Sequence, residues 1–533
     1  MSANAMFRVL VSDAMADAGI ELLRQAPGVE VVVQTAWRPG ELQEKIRGFH
    51  GLLVRSATRV TAEIIQSADL LRVIGRAGIG VDNVDLAAAS RKGVVVMNTP
   101  AGNTVTTAEH TLALLMALAR KIPQATASMK GGRWEKSKFE GVELFEKTLG
   151  LLGLGNIGSL VARRAAGLGM KLIAYDPFIA LERAAQLGVE PVELEALFAR
   201  ADFISVHVPQ SEQTANLLRA ENFAKMKRGV RIVNCARGGV VNEADLVAAI
   251  RSGQVAGAAL DVFEKEPLDP ASPLLGVDEI ILTPHLGAST AEAQVKVAVD
   301  VARQAVDYLT QGIVSNAVNV PSVDPETLAK IAPFLDLVGR MGRFLGQLVE
   351  GRMERLEVRY SGEIAAADQR PLTATLLEGL LRPILLDEVN LVNAPLMARE
   401  RGLKVTESAT AEPGDFTSLV SATLRTGAGE TSISGTLLAR RNPRIVRIDG
   451  YEFELAPAGH LLLFANEDTP GVVGKIGTLL GDNRINIGGM QLGRTAGSRD
   501  ALAVLAVDSK IPESLMGAIR ALPFIRRARQ LEI

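Results

Sequence analysis

The stretch from Leu149 to Asp176 constrains the fold of this chain more than any other. It reads as a short apolar run, the turn Gly153-Leu-Gly155-Asn-Ile-Gly158, an amphipathic helix pattern and a second apolar run that ends in Asp176. Strand, glycine-rich turn, helix, strand and acid in this order make up the βαβ unit that binds a dinucleotide. Gly153 permits the tight turn, Gly155 lets the backbone approach a pyrophosphate, and Gly158 lets the helix pack closely on the strand.

The acid at the end of this unit predicts which dinucleotide binds. Asp176 stands where a carboxylate accepts the adenosine ribose hydroxyls and repels a 2′-phosphate. No arginine follows it directly, because the next residues are Pro177 and Phe178. The helix that begins after Gly155 offers free backbone N–H groups to the phosphates. The motif therefore predicts NAD, rather than NADP, as the cofactor.

The composition predicts a cytoplasmic protein with neither a nucleic-acid nor a membrane partner. The 533 residues are 47% hydrophobic and only 4% aromatic, as expected for aliphatic strands covered by helices. The net charge of −2 gives no field that would recruit nucleic acid. No secretory signal segment and no membrane-spanning run is expected. The single cysteine, Cys235, excludes a disulfide framework and a cysteine-based zinc site, and no metal is predicted.

Alternating strand and helix patterns predict several domains. One doubly wound unit precedes the nucleotide motif, and long helices near Val105–Ala119 and Ala288–Gln311 connect it with the nucleotide-binding unit. The C-terminal stretch follows a βαββαβ order, which is ferredoxin-like. We therefore expect an α/β fold with two Rossmann-like doubly wound domains, an intervening α/β domain and a ferredoxin-like C-terminal domain. The expected boundaries are 1–101 with 288–320 (substrate-binding domain, discontinuous), 102–287 (NAD-binding Rossmann domain), 321–457 (intervening domain) and 458–533 (C-terminal domain).

Three side chains beyond the nucleotide motif suit the NAD-dependent oxidation of a 2-hydroxy acid. That reaction needs a cation for the carboxylate, a base for the hydroxyl proton and a group that tunes the base. Arg237, Glu266 and His285 each follow a predicted strand, so each can lie at the carboxyl edge of the sheet, where such folds bind ligands. Arg237 can hold a carboxylate with both arms of its guanidinium, and Glu266 can orient His285. Taken singly, the arginine is also compatible with a surface charge, and the histidine with a satisfied turn residue.

The stretch from Phe7 to about Pro321 resembles the D-isomer-specific 2-hydroxyacid dehydrogenases. Besides the nucleotide motif, the matching segments are His207-Val-Pro209, Asn234-Cys-Ala-Arg237-Gly-Gly, Leu260-Asp261-Val-Phe-Glu-Lys-Glu266-Pro and Pro284-His285-Leu-Gly-Ala288. The resemblance implies that Arg237, Glu266 and His285 are catalytic, and that Asp261 reaches the nicotinamide carboxamide. It implies NAD contacts with Gly153, Gly155, Asn156, Ile157, Gly158, Asp176, Val208, Cys235, Ala236, Arg237, Asp261, His285, Leu286, Gly287 and Ala288.

Within that family, the chain is most similar to members with a phosphorylated substrate. The similar segments are Val54-Arg55-Ser-Ala-Thr-Arg-Val-Thr, Gly75-Arg76-Ala-Gly-Ile-Gly-Val-Asp-Asn-Val-Asp85 and Gly102-Asn103. This implies oxidation of D-3-phosphoglycerate to 3-phosphohydroxypyruvate, the first step of L-serine synthesis. Arg55, Arg76 and Asn103 are then expected near the substrate, and Lys136 is expected to reach the site of a neighbouring subunit.

The sequence departs from the family at two positions and leaves two other functions open. Ile79 and Val208 stand where relatives often carry threonine, so two side-chain hydrogen bonds near the cofactor are lost. One alternative function is that of another D-2-hydroxyacid dehydrogenase, such as a glyoxylate or hydroxypyruvate reductase. The other is a non-catalytic NAD-sensing binding protein.

The C-terminal stretch resembles ACT modules, which bind amino acids at subunit interfaces. The loop Asn466-Glu-Asp468-Thr-Pro-Gly and Asn486 carry polar side chains that suit the ammonium and carboxylate groups of an amino acid. The resemblance implies L-serine as an effector and a homo-oligomer, either a dimer or a tetramer. Asp468 is also compatible with an N-cap and Asn486 with a turn, and ACT-like domains also serve as dimerisation surfaces.

Overall fold

The structure is a computed structural model, and it describes residues 6–321, 325–385, 389–412, 414–494 and 499–533. The described residues form four β-sheets with helices packed on them. No helix in these ranges has both the length and the apolar character needed to cross a membrane.

The first sheet is parallel, with the strand order β2-β1-β3-β4-β5. One of its helices, α4, has typical caps at both ends. The Asp85 side chain accepts a hydrogen bond from the backbone N–H of Ala88, and Gly93 ends the helix with a left-handed φ of 76°. The elements are β1 Phe7–Val11, α1 Asp17–Gln25, β2 Val29–Val33, α2 Glu41–Lys45, β3 Gly51–Val54, α3 Ala62–Ser67, β4 Val73–Arg76, α4 Leu86–Lys92 and β5 Val95–Asn98.

The second sheet has seven parallel strands in the order β12-β11-β10-β9-β6-β7-β8. The strand order reverses between β6 and β9, and such a switch point is where doubly wound sheets bind ligands. The elements are α5 Thr104–Arg120, α6 Ile122–Lys130, β6 Thr148–Leu152, α7 Asn156–Gly167, β7 Lys171–Tyr175, α8 Leu181–Gln186, β8 Glu190–Pro191, α9 Leu194–Arg200, β9 Phe203–Val206, α10 Ala220–Phe223, β10 Val230–Asn234, α11 Glu243–Arg251, β11 Val255–Leu260, β12 Ile280–Leu282 and α12 Ala291–Gln311.

Helix α12 returns the chain to the first sheet, as the sequence predicts. It packs so closely on α1 that a Cβ at Gly19 would lie 2.6 Å from the backbone oxygen of Ala298. The same helix covers β4, where a Cβ at Gly75 would lie 2.6 Å from a methyl group of Val301. The two parallel sheets are therefore linked by long helices and face each other across a cleft.

The third sheet is mixed, with the order β14-β13-β15-β16-β17-β18, and only the β13–β14 pair is parallel. Helices α13 and α14 pack closely against each other, because a Cβ at Gly342 would lie 2.2 Å from the backbone oxygen of Leu376. Helix α13 also covers this sheet, where a Cβ at Gly435 would lie 2.8 Å from the sulfur of Met341. The sequence predicts a helix that continues to Leu386, but α14 ends at Leu381 and Leu386 lies outside the described residues. The elements are α13 Pro325–Leu348, β13 Met353–Gly362, α14 Arg370–Leu381, α15 Ala394–Glu400, β14 Lys404–Thr410, β15 Ser418–Thr426, β16 Gly429–Leu438, β17 Asn442–Ile448 and β18 Tyr451–Leu455.

The fourth sheet is antiparallel, with the order β20-β21-β19-β22. Its chain order is βαββαβ, as predicted, and both helices cover one face with a core that includes Leu462, Phe464 and Ile476. The elements are β19 His460–Glu467, α16 Val472–Asp482, β20 Ile487–Arg494, β21 Asp500–Val507, α17 Glu513–Arg520 and β22 Ile525–Glu532. The predicted α/β fold class is therefore confirmed.

Candidate active site

A cleft between the first two sheets brings the three predicted catalytic residues together. It has a volume of about 440 Å³. Arg237, Glu266 and His285 line it from loops that follow β10, β11 and β12, the carboxyl edge of the second sheet. Arg76 and Asn103 line it as well. Loops that are far apart in the sequence thus converge because the parallel strands before them end at one edge.

His285 and Glu266 form a hydrogen-bonded pair. The imidazole Nδ1 lies 2.7 Å from Oε2 of Glu266, and the backbone N–H of Phe263 donates to the other carboxylate oxygen over 3.1 Å. Burial alone would raise the pKa of the Glu266 carboxyl, but the hydrogen bonds from His285 and Phe263 hold it below its ordinary value. An ionised Glu266 accepts from Nδ1–H, which leaves Nε2 as the ring nitrogen able to take a proton.

Asp261 anchors the loop that carries His285. Its carboxylate is fully buried and accepts hydrogen bonds from the hydroxyl of Thr283 (2.6 Å) and the backbone N–H groups of Leu286 (2.7 Å) and Gly287 (2.8 Å). The backbone N–H of His285 donates to the backbone oxygen of Asp261 over 2.9 Å. His285 itself has a left-handed φ of 55°, a conformation that such bonds stabilise.

His110 is a contributor to this site that the sequence analysis missed. It lies on α5, and its Nε2 is 3.1 Å from Asp261 and 3.3 Å from the hydroxyl of Thr283. Burial alone would raise the pKa of Asp261, but the hydrogen bonds from His110, Thr283 and the loop backbone lower it below its ordinary value. The local sequence around His110 is that of an apolar helix, so only the fold reveals its partner.

Arg237 spans the cleft. Its Nε donates to Oδ2 of Asp82 over 3.1 Å, and one terminal nitrogen donates to the backbone oxygen of Ala236 over 2.6 Å. A Cβ at Gly80 would lie 2.1 Å from the other terminal nitrogen, so a side chain there would displace the guanidinium. The backbone oxygen of Arg237 accepts from Asn234 over 2.9 Å, which fixes the turn after β10.

The cleft concentrates positive charge. Burial, together with the neighbouring charges of Arg237 and Arg55, lowers the pKa of the Arg76 guanidinium to about 10. Within the described residues, the buried Nε atoms of Arg76 and Arg55 have no hydrogen-bond partner. Clustered arginines with unpaired donors favour a bound anion, because an anion offsets their mutual repulsion.

Two predicted substrate residues do not line this cleft. Arg55 follows β3; its backbone N–H donates to Asp13 over 2.6 Å, and its guanidinium donates to the backbone oxygen of Ala14 over 3.2 Å. Arg55 is nevertheless near enough that its positive charge contributes to the lowered pKa of Arg76. Lys136 is exposed and begins the short 3-10 helix Lys136–Phe139, away from the cleft of its own chain.

The nucleotide motif has the backbone geometry that a dinucleotide requires. Gly153 has a left-handed φ of 92°, and a Cβ there would lie 2.7 Å from the backbone oxygen of His207. A Cβ at Gly158 would lie 2.3 Å from the backbone oxygen of Gly153. Gly155, by contrast, faces open space among the described atoms and caps α7 without a side chain. These observations fit a pyrophosphate at the helix N-terminus.

The other predicted cofactor residues surround the same region. Asp176 lies just beyond β7, and its two carboxylate oxygens accept from the backbone N–H groups of Leu154 (2.8 Å) and Phe178 (2.9 Å), which orients the side chain. Asn156 and Ile157 open α7, and Leu286 is held by Asp261. The predicted residues that line the cleft are Ile157, Val208, Cys235, Ala236, Arg237, His285, Gly287 and Ala288.

Two buried titratable groups in the cleft wall remain uncharged at neutral pH. Burial lowers the pKa of His207 to about 4, and its Nε2 pairs with the hydroxyl of Ser205 over 2.9 Å. Burial raises the pKa of the Cys235 thiol to about 12. In the part of the chain that the structure describes, no group of three or more histidine, cysteine, aspartate or glutamate side chains could hold a metal ion.

The predicted effector residues lie at opposite ends of the fourth sheet. Asn466 near the end of β19 and Arg494 at the end of β20 both pair with Ala501 of β21, the strand between them, so they lie at the same end of the sheet. Asp468 forms an ion pair with Arg494 over 3.0 Å, and it is not a helix cap, because Gly471 occupies the N-cap of α16. Asn486, in contrast, precedes the start of β20.

At that other end, the backbone N–H of Asn486 donates to Asp508 over 3.1 Å. Asn466 is buried, and no described atom binds its side-chain oxygen. One chain therefore does not bring Asn466 and Asp468 together with Asn486.

This fold and this site define an NAD-dependent, D-isomer-specific 2-hydroxyacid dehydrogenase. The family model described as "D-isomer specific 2-hydroxyacid dehydrogenase, NAD binding domain" matches residues 112–287. The models of the D-3-phosphoglycerate dehydrogenase intervening domain and of the ACT domain match residues 330–449 and 460–524. The chain belongs to the D-3-phosphoglycerate dehydrogenase family, as its relatives show over nearly their whole length.

Two relatives, both named D-3-phosphoglycerate dehydrogenase, illustrate this match. The protein of Synechocystis sp. is 45% identical and is matched over 99% of this chain and 95% of its own length. The protein of Bacillus subtilis is 38% identical over 99% of this chain and 100% of its own length. The resemblance predicted from the sequence is therefore confirmed.

Solved structures resemble about three fifths of the chain. The TT0316 protein from Thermus thermophilus is 35% identical with a TM-score of 0.55, and covers 58% of this chain and 100% of its own. An NAD-dependent formate dehydrogenase from Staphylococcus aureus in complex with NAD is 27% identical with a TM-score of 0.54, and covers 60% of this chain and 100% of its own. The predicted cofactor, NAD, is confirmed by the family.

Proposed function

We propose that this protein oxidises D-3-phosphoglycerate to 3-phosphohydroxypyruvate with NAD, the entry reaction of L-serine synthesis in a reducing cytoplasm. The observation that carries the proposal is one cleft with two separate cations and one acid–base pair. Arg237 and Arg76 match the two anionic groups of the substrate, and His285 with Glu266 matches its hydroxyl. The names of the full-length relatives support the same substrate.

Arg237 binds the C1 carboxylate in this proposal. Its Nε is engaged by Asp82 and one terminal nitrogen by the backbone oxygen of Ala236, so the donors left for the carboxylate are the other terminal nitrogen and the second hydrogen of the first. This fixes C2 near His285, on the loop after β12 at the same sheet edge. An arginine at this position orients the substrate as well as binding it, because its planar fork matches the carboxylate.

His285 acts as the general base. Nε2 of the imidazole takes the proton of the C2 hydroxyl while the hydrogen on C2 departs with its electron pair, and C2 becomes a ketone. Glu266 stabilises the resulting imidazolium through the 2.7 Å contact with Nδ1. NAD, when bound, accepts that hydride at its nicotinamide ring. Asp261 holds the His285 loop, and we propose that it also lies near the nicotinamide carboxamide.

The phosphate end of the substrate is bound by arginines of the first sheet. Arg76 lines the cleft and Arg55 lies within its electrostatic range, and each has an unpaired Nε among the described atoms. Asn103 lines the cleft with a buried side-chain oxygen that lacks a described partner. Lys136 completes the site of a neighbouring subunit.

The protein is a homo-oligomer, a dimer or a tetramer, in this proposal. The support is a row of exposed apolar side chains on α5 and α6, which comprises Met116, Ile122 and Met129. Each is about half exposed, and large exposed apolar surfaces mark contact sites. Helix α6 contacts the 3-10 helix that bears Lys136, which agrees with a role for Lys136 in a second subunit.

L-serine is the proposed effector of the C-terminal domain. Asn466 and Asp468 lie at one end of the fourth sheet and Asn486 at the other, so one ligand contacts all three only between two chains. This agrees with the use of ACT modules as subunit interfaces. Suppression of the reaction by L-serine would support an effector site, and indifference to L-serine would leave the domain with a structural role.

The decisive experiment measures NADH formation from D-3-phosphoglycerate, D-glycerate and D-lactate. We expect turnover that strongly favours the phosphorylated acid, because two cations meet two anionic groups only in that substrate. Equal turnover of the unphosphorylated acids would instead indicate another D-2-hydroxyacid dehydrogenase, a class to which a similar solved glyoxylate reductase belongs (27% identical, TM-score 0.55). NAD binding without turnover of any acid would contradict the proposal altogether.

A further inference from the structure

A buried hydrogen-bond chain runs from Trp37, near the surface, to the backbone of Arg55, which follows β3. The indole N–H of Trp37 donates to the hydroxyl of Ser12 over 2.8 Å. The hydroxyls of Ser12 and Thr58 are 2.7 Å apart, and the hydroxyl of Thr58 is 2.5 Å from Oδ1 of Asp13. Ser12, Asp13 and Thr58 are each more than nine-tenths buried. Oδ2 of Asp13 then accepts the backbone N–H of Arg55 over 2.6 Å.

The direction of each bond in this chain is fixed. The carboxylate of Asp13 only accepts, so Thr58 donates its hydroxyl hydrogen to it. Because Thr58 has no second hydrogen, the hydroxyl of Ser12 must donate to Thr58. The Ser12 oxygen is then an acceptor for the indole N–H of Trp37. Every donor from Trp37 to Asp13 thus points toward the carboxylate, an arrangement in which the bonds strengthen one another.

The end point of the chain is the backbone of Arg55. Asp13 also accepts the backbone N–H of Thr58 over 3.1 Å, so one carboxylate closes the loop from Arg55 to Thr58. The side chain of Asn83 donates to the backbone oxygen of Arg55 over 2.7 Å and to that of Thr58 over 2.6 Å. Both peptide groups of Arg55 are therefore fixed.

The side chain of Arg55, in contrast, has donors to spare. Its described hydrogen bond is the contact with the backbone oxygen of Ala14, and its buried Nε has no partner in the described ranges. A rigid backbone that carries a guanidinium with unpaired donors is the arrangement that lowers the entropic cost of binding an anion.

We propose that Asp13 is a positioning residue for recognition of the substrate phosphate, and that Trp37, Ser12 and Thr58 hold its carboxylate in place. The proposal rests on the proposed function, since it assumes that Arg55 meets the phosphate of D-3-phosphoglycerate. Loosening this chain widens the range of positions of Arg55, so phosphate binding weakens. Proton and hydride transfer at C2 are unaffected, because Arg237, Glu266 and His285 lie on loops of the second sheet, whereas Arg55 follows a strand of the first sheet.

The test compares two substitutions of Thr58. Thr58→Val keeps the shape but removes the hydroxyl that links Ser12 to Asp13, whereas Thr58→Ser keeps the hydroxyl. We expect Thr58→Val to raise the KM for D-3-phosphoglycerate about tenfold, the effect of losing one hydrogen bond to a charged group. The kcat, the KM for NAD and the KM for D-glycerate should stay within about twofold of wild type, and Thr58→Ser should behave like wild type.

A second variant and a control locate the effect. Trp37→Phe removes the first donor and keeps an aromatic ring, so it should raise the same KM by a smaller factor. Gln43→Ala alters an exposed residue that lines, together with Ser12, Trp37 and Thr58, one pocket at the surface, and it should leave the KM unchanged. If Thr58→Val lowers kcat and raises all KM values together, or leaves the KM for D-3-phosphoglycerate unchanged, the proposal is wrong.

The outcome separates this proposal from the proposed function. Wild-type protein without a preference for D-3-phosphoglycerate over D-glycerate would overturn the proposed function. Wild-type protein with that preference, together with a Thr58→Val variant that retains it in full, would overturn only the role of Asp13.

Discussion

Asp82 and Arg237 meet across the substrate cleft, with the carboxylate 3.1 Å from Nε, although the two residues are 155 positions apart in the sequence. Asp82 lies between β4 and α4 of the first unit, and Arg237 follows β10 of the second sheet. The ion pair is partly exposed, so its direct contribution to folding stability is small, below about 1 kcal/mol. Its effect is instead on orientation, because Asp82 at Nε and the backbone oxygen of Ala236 at one terminal nitrogen together fix the plane of the guanidinium.

Substitution of Asp82 should therefore affect carboxylate binding and not phosphate selectivity. We expect Asp82→Ala to lower kcat/KM about tenfold for D-3-phosphoglycerate and by a similar factor for D-glycerate, since both carry the C1 carboxylate. The unfolding midpoint should change little. Steady-state kinetics with both acids checks this, and Glu44→Gln, an exposed change on α2, serves as the control. A loss confined to the phosphorylated acid would contradict the assigned orientation.

The His285–Glu266 pair predicts a graded loss of turnover. His285→Ala removes the general base and should lower kcat by about 10²- to 10⁴-fold, while NAD affinity stays near wild type. Glu266→Gln keeps a hydrogen-bond acceptor but not the charge, so the imidazolium is less stabilised and the loss should be smaller. Steady-state kcat values of both variants, measured together with their affinities for NAD, check this order. Near-normal turnover of His285→Ala would refute its role as base.

Local periodicity predicted the parallel sheets and the βαββαβ order of the C-terminal domain. The mixed third sheet was predicted only in part. Strands β14, β15 and β18 and helix α15 were missed, and β14 (Lys404–Thr410) shows why, since it is an edge strand with almost every residue exposed and no alternation of apolar and polar side chains. An edge strand is specified by its neighbour β13 and not by its own sequence.

The candidate site was likewise predicted only where the local sequence pattern was sufficient. Arg237, Glu266 and His285 could be found because each follows a strand of a recognisable pattern. Asp82 and His110 could not, since their roles depend on partners in other elements, such as Thr283, which is 173 positions from His110. A polar residue acquires such a role only when the fold supplies its partner.

Asp261 should make the stability of the protein sensitive to acid. Its pKa in the folded state is depressed below the ordinary value near 3.8, so the stabilising effect is fully present above that value and is lost as the pH falls through the folded-state pKa. Asp261→Asn removes the charge from a buried set of donors and should cost about 2 kcal/mol or more at neutral pH. The free energy of unfolding in urea, measured from neutral to acid pH, should fall less steeply at acid pH in the variant. Equal pH dependence of both proteins would show that the carboxylate is not the acid-sensitive group.

Asp176 should decide the choice between NAD and NADP. Its carboxylate is oriented by the backbone N–H groups of Leu154 and Phe178, and a charge fixed there repels a 2′-phosphate. Asp176→Ser removes the charge and keeps a short polar side chain, so the KM for NAD should rise about tenfold as a charge-assisted hydrogen bond to the ribose is lost. The KM for NADP should fall at the same time, since the repulsion is gone. Kinetics with both cofactors at saturating D-3-phosphoglycerate measure the ratio, with Glu182→Gln on the neighbouring helix α8 as a control that removes a nearby charge of the same sign. If the control changes the ratio as much as Asp176→Ser does, the discrimination comes from the general field of this surface and not from the carboxylate at the end of β7.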